Sequence, residues 1–103
     1  LKRKRVRVTK EEILDFIREH REILEERYGV KKIGLFGSYA KGTQTEMSDI
    51  DFYVVLGKKR LDNMTGLWLY LEKALGEKVD VIYEYPRLRK GLKSQIESEV
   101  LYA

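Results

Sequence analysis

Residues 37–56 read GSYAKGTQTEMSDIDFYVVL. The second half of this stretch decides the fold. Asp49, Asp51, Tyr53 and Val55 alternate with Ile50, Phe52, Val54 and Leu56. Alternation with one wholly apolar side is the mark of a half-buried β-strand. Asp is depleted from strands, so two on one face of the same strand are costly. Their Cβ atoms lie roughly 6–7 Å apart, two residues of strand rise. Neighbouring anions raise each other's pKa unless a cation sits between them. A divalent ion removes that cost, and ligands that are all oxygen suit Mg2+ or Mn2+. Taken alone, an Asp-x-Asp pair also fits a loop cap beside a lysine-paired carboxylate.

The flanking sequence supplies the other elements. Val30–Phe36 reads as a first strand that ends directly at Gly37-Ser38, where residues 38–42 can open a short helix. Amides at a helix start, a serine hydroxyl and a glycine that admits close approach make an anion site. Lys41 lies one helical turn past Ser38 and can reach the same anion. Upstream, Thr9-Lys10-Glu11-Glu12 reads as a capping box. Ile13, Ile17, His20, Leu24 and Tyr28 recur at helical spacing up to Gly29, which predicts one helix over residues 10–28. Downstream, Gly57-Lys58-Lys59-Arg60 is a basic loop. Leu61, Met64, Leu67, Trp68, Leu71 and Leu75 form a helical stripe ended by Gly76. Residues 78–84 (KVDVIYE) predict a third strand with Asp80 at its centre, and Pro86 breaks it. Leu88, Leu92, Ile96 and Val100 mark a last helix. If the third strand neighbours the second, Asp49, Asp51 and Asp80 converge, enough to hold one or two Mg2+ ions.

Composition bounds the rest. The chain has 103 residues, room for one domain. Apolar content of 43% argues against disorder. There is no cysteine and a single histidine, which sets aside disulfides, thiolate metal sites and histidine-based zinc. No apolar run is long enough to span a membrane, and a cytoplasmic location is expected. The net charge of +4 suggests a nucleic-acid binder, but five cations lie in residues 1–8, and residues 9–103 are nearly neutral. The expected division is therefore a basic tail over 1–8 and one domain over 9–103. Direct nucleic-acid binding is not expected of that domain. Alternation of Arg3, Arg5 and Arg7 with Val6 and Val8 is compatible with an edge strand. No apolar region follows the tail, so it is not read as a signal peptide. The first residue, Leu1, reads as a trimmed or engineered start.

The conjunction of strand, Gly-Ser, ten residues and Asp-x-Asp closely resembles the minimal nucleotidyltransferase (MNT) family of the DNA polymerase beta superfamily. Gly37, Ser38, Ala40, Lys41, Gly42, Ser48, Asp49, Ile50 and Asp51 match that family's pattern, and Asp80 fits its third carboxylate. The resemblance spans roughly residues 10–103. It implies an α/β, single-domain, two-layer nucleotidyltransferase (DNA polymerase beta-like) fold: a small mixed sheet with helices packed on it, in the order αβ(α)βαβα. It implies that Gly37 and Ser38 hold the phosphates of a nucleoside triphosphate, with Lys41 adding charge. Asp49, Asp51 and Asp80 would be catalytic and would hold two Mg2+ ions, with Mn2+ as the alternative. The implied reaction moves AMP from ATP to a hydroxyl and releases pyrophosphate.

About 100 residues hold little beyond such a core, so a homodimer mate or another protein would supply the acceptor. In similar HEPN/MNT modules the acceptor is a tyrosine of a helical HEPN-type RNase toxin, which the MNT antitoxin silences. A small-molecule or RNA-end acceptor, and a partner-binding antitoxin without catalysis, are the competing readings. Tyr39 and Tyr53 are read as packing residues rather than nucleotide contacts. His20 is read as a half-buried helix residue, and Trp68 and Met64 as core.

Overall fold

Strands β1 (Val30–Phe36) and β2 (Ile50–Leu56) pair antiparallel, with Phe36 opposite Asp51. The computed structural model describes residues 8–57 and 61–103. The expectations for the tail at 1–7 and for Lys58, Lys59 and Arg60 therefore lie outside the described residues. Strand β3 (Val79–Tyr83) lies parallel to β2 on its other side, and β4 (Leu101–Tyr102) lies antiparallel to β1. The mixed sheet has the order β3-β2-β1-β4. Helices α1 (Lys10–Glu19), α2 (Arg21–Tyr28), α3 (Gly37–Lys41), α4 (Leu61–Leu75) and α5 (Lys90–Glu99) complete the fold.

The capping box forms as expected. Glu12 N–H donates to Thr9 Oγ1 at 3.1 Å, and Thr9 N–H donates to Glu12 Oε1 at 2.8 Å. Val8, assigned to the tail by the sequence, packs against the core. The single helix expected over 10–28 is two. His20 takes φ −108° and ψ 13°, outside helical values. Its Nδ1 lies 2.9 Å from the Phe16 carbonyl, and its ring stacks on Phe16 at 4.1 Å. The side chain thus joins the backbone N–H on one carbonyl, and the chain restarts in a new direction at Arg21. The break lets Ile13 and Ile17 of α1 and Leu24 of α2 all enter the core.

That core lies on the sheet face carrying Leu35, Ile50, Phe52 and Val54, closed by Leu67 and Leu71 of α4. Tyr53, on the opposite face, is 1% exposed. Its phenol is pushed up to about 12 by burial, then by the charges of Glu84 and Glu97 and by Tyr102. The presence of Glu97 there places α5 over this second face. Tyr53 therefore packs, as expected.

The end of the chain departs from expectation. The helical stripe predicts a helix through Val100, but α5 stops at Glu99 and Val100 is extended, with φ −70° and ψ 138°. Leu101 and Tyr102 pair with Leu35 and Gly34. Gly34 makes this approach feasible, because a Cβ there would lie 2.4 Å from Val100 Cγ2. The element order is thus ααβαβαβαβ rather than αβ(α)βαβα.

Two side-chain hydrogen bonds, one from each element, fasten β3 to α4. Trp68 Nε1–H donates to the Val79 carbonyl at 2.8 Å, and Tyr83 O–H donates to the Met64 carbonyl at 2.6 Å. Trp68 and Met64 are partly buried and pack against the core, in line with the sequence reading. Trp68→Phe keeps most of the apolar area and leaves the Val79 carbonyl without this donor. We expect it to cost about 1–2 kcal/mol of stability, read as a lower denaturant midpoint with an unchanged m-value.

Candidate active site

The site residues lie where β1 ends and where β2 and β3 begin. Phe36, Asp51 and Asp80 form one row across three adjacent strands, with Asp51 opposite Asp80 in the parallel pair. Ile50 N–H donates to the Lys78 carbonyl at 3.0 Å and fixes the start of β2 beside the start of β3. Asp49 sits exposed one residue before β2. The strand expected from Asp49 thus begins one residue later, and Asp49 reaches the site from the loop.

Asp51 is half-buried, and its carboxyl is pushed up to about 6. Burial is the largest cause, followed by the charges of Asp80 and then Asp49. Asp80 and Asp49 are thus both near enough to act on Asp51. Among the described residues, however, no three acidic or histidine side chains are gathered in metal-holding geometry. The convergence foreseen from the sequence extends to strand adjacency and electrostatic coupling, and not to a preformed cage.

Gly37 follows Phe36 directly and turns the chain with φ +76°. A Cβ here would lie 2.2 Å from Asp51 Oδ2. The Asp51 carboxylate therefore rests in the space that glycine leaves. Ser38 is half-buried beside it in α3, and Lys41 ends that helix, exposed. Lys41 Nζ lies 3.2 Å from Glu99 Oε2. Tyr39, between Gly-Ser and Lys41, is fully buried in the core and so packs.

Residues 43–49 close on themselves before delivering Asp49. Thr45 N–H donates to Ser48 Oγ at 2.9 Å, Ser48 N–H donates to the Thr45 carbonyl at 3.1 Å, and Met47 N–H donates to Thr45 Oγ1 at 3.1 Å. Sequence reasoning missed the loop-closing role of Thr45 and Ser48, although Ser/Thr hydroxyls commonly stabilise such turns. It also missed Glu99, for which no local pattern exists.

Strand ends that place Asp51 and Asp80 side by side against the Gly-Ser turn match what the resemblance implies for a nucleotidyl-transfer domain. The family model described as "Nucleotidyltransferase domain" matches residues 17–103. A candidate protein adenylyltransferase of Methanocaldococcus jannaschii is 42% identical over 97 residues, which cover 91% of this chain and 97% of that one. A solved structure of a candidate minimal nucleotidyltransferase superposes with a TM-score of 0.69 at 33% identity, covering 85% of this chain and 93% of that one. A crystal structure of a toxin–antitoxin with AMP-PNP has a TM-score of 0.65 at 26% identity, covering 82% of this chain and 69% of that one. The chain belongs to the nucleotidyltransferase domain family, and within it to the minimal nucleotidyltransferases. Its fold is theirs: a small mixed sheet with helices packed on it. No helix among the described residues is long and apolar enough to cross a membrane.

Proposed function

We propose that this nucleotidyltransferase moves AMP from ATP to a tyrosine of a helical HEPN-type RNase toxin and thereby silences it. The observation that carries the reading is the row of Asp51 and Asp80 on adjacent strands, with the Asp51 carboxylate seated against Gly37. Support for the acceptor class comes from the relatives: one is named as a candidate protein adenylyltransferase, and a neighbour in structure is a toxin–antitoxin with AMP-PNP.

Each residue then has a task. The backbone at Gly37 and the Ser38 hydroxyl receive the β- and γ-phosphates, and Lys41 adds a cation beside them. Asp49, Asp51 and Asp80 offer oxygen ligands only, the donor set that Mg2+ takes. Half-buried Asp51, repelled by exposed Asp80 and Asp49, fits such an ion, because a divalent charge offsets both burial and repulsion. Bound there, Mg2+ would lower the pKa of the acceptor hydroxyl and neutralise charge on the triphosphate. The acceptor oxygen attacks the α-phosphorus, a P–O bond forms to the tyrosine, and pyrophosphate leaves. Asp80, on the strand beside Asp51, takes up the proton of the attacking hydroxyl. The acceptor hydroxyl is brought by the partner, whose tyrosine enters beside Asp51 and Asp80.

The test is label transfer. ATP labelled at the α-phosphate, Mg2+ and the co-encoded helical partner are expected to give a labelled partner whose label maps to tyrosine. Absence of label on that partner, under conditions where a related pair reacts, would overturn the reading.

The raised Asp51 carboxyl sets a pH dependence. Its folded pKa of about 6 lies above its ordinary value of 3.8, so the folded state holds a proton that the unfolded state has released. In the absence of a cation, this group's contribution to stability therefore falls as pH rises from about 4 through about 6. A bound divalent ion reverses the sign of the local problem. Thermal melts with and without millimolar Mg2+ should separate more at pH 7 than at pH 5. Mg2+-nucleotide affinity should weaken by up to about tenfold per pH unit below 6, as protons compete for Asp51.

A further inference from the structure

The ion pair between Lys41 and Glu99 joins the Gly-Ser helix to a part of the chain that the proposed chemistry does not use. Glu99 is the last residue of α5, and no basic residue occupies that helix's last turn. A helix C-terminus carries partial negative charge and disfavours an anion. The Glu99 side chain is also only 21% exposed, against 52% for Lys41. An acid in this position needs a cation from outside its own helix, and Lys41 supplies it at 3.2 Å.

The mounting of Glu99 is stiff on both sides. Val100 N–H donates to the Ile96 carbonyl at 2.8 Å and closes α5. Leu101 and Tyr102 then pair with β1, the strand that runs into Gly37. The other partner is less confined: Tyr39 anchors α3 in the core, but the Lys41 side chain at its end is half exposed. Helix α3 has five residues, too few to be stable alone. A free lysine side chain also loses rotamer entropy when it is fixed.

We propose that Glu99 is a positioning residue for nucleotide binding. Its carboxylate takes one of the three ammonium donors of Lys41, limits the rotamers of that side chain and leaves two donors for phosphate oxygens. The entropy of ordering Lys41 is then largely spent before the nucleotide arrives, which is preorganisation. This inference rests on the reading that the triphosphate lies along Gly37–Lys41.

The probe is AMP-PNP with Mg2+, titrated by calorimetry into the whole chain. Glu99→Gln is expected to raise Kd about fivefold, with Glu99→Asp recovering part of the loss. Lys41→Met is expected to weaken binding by at least as much, and adding Glu99→Gln to it should change nothing further. The charge-exchanged pair Lys41→Glu with Glu99→Lys should regain the melting temperature of the wild type while nucleotide binding stays weak. A purely structural bridge would restore both. The inference is overturned if Glu99→Gln binds like the wild type, or if it weakens binding equally in the Lys41→Met background. Failure of the wild type itself to bind Mg2+–AMP-PNP would instead bring down the proposed function, and this inference with it.

Discussion

Asp51→Asn is expected to cut AMP transfer by about a thousandfold or more and, in the absence of divalent ions, to make the domain more stable. The two effects have one cause. Asp51 is half-buried, faces Asp80 across the parallel pair and feels Asp49 from the loop. Its carboxyl is raised to about 6 because the charged form is disfavoured there. Asn keeps the shape, and so keeps the seat against Gly37, but carries no charge. The repulsion disappears, and the ability to share a divalent ion with the other carboxylates disappears with it. Strain retained for chemistry at the expense of stability is a known trade. The checks are label transfer to the partner and melting temperature, both measured at pH 7 and the latter in chelator. A variant that melts higher and transfers no label meets the expectation. Full activity would remove Asp51 from the reaction. A companion change, Asp49→Ala with Asp51→Ala, addresses the partner directly. If the toxin is still silenced by that double variant, neutralisation works by contact and not by chemistry.

How much of this was legible beforehand follows from the range of each signal. The alternation of Asp49 to Leu56 and the apolar run of Val30 to Phe36 are local patterns, and both strands form. The third strand is also local, and Asp80 falls within it. That Asp80 lies opposite Asp51 was conditional on strand order, which periodicity cannot reveal. The break at His20 escaped because Leu24 continues the helical spacing. The deciding contact, an imidazole nitrogen on the Phe16 carbonyl, leaves no mark in an apolar pattern. The terminal strand escaped for a related reason. Val100 continues the stripe of Leu92 and Ile96, so the helix reads as unbroken. What turns Leu101 and Tyr102 into a strand is the bare edge of β1 at Gly34 and Leu35, far away in the sequence. Lys41 and Glu99 are a pairing of the same kind. Apolar periodicity and the capping box were readable; the polar contacts of His20 and of Thr45 with Ser48, and partners separated by most of the chain, were not.

Gly37→Ala is expected to lower AMP transfer by about a hundredfold or more while the domain still folds. The methyl group would enter at 2.2 Å from Asp51 Oδ2 and 3.1 Å from Asp51 Cγ. Either the carboxylate or the turn must yield, and both belong to the proposed site. The backbone adds its own cost. At φ +76° an alanine is strained by about 1–2 kcal/mol. A loss of activity could therefore be blamed on strain alone, and Gly42 separates the two causes. Gly42 has φ +77°, nearly the same, but a Cβ there meets nothing within 4 Å. Gly42→Ala should thus lower the melting temperature through the backbone strain alone, by no more than Gly37→Ala does, with label transfer reduced only a few-fold. Comparable loss of transfer in both variants would mean that the short helix as a whole carries the activity. Loss confined to Gly37→Ala would mean that the contact with Asp51 carries it, because backbone strain is common to the two positions and the carboxylate neighbour is not.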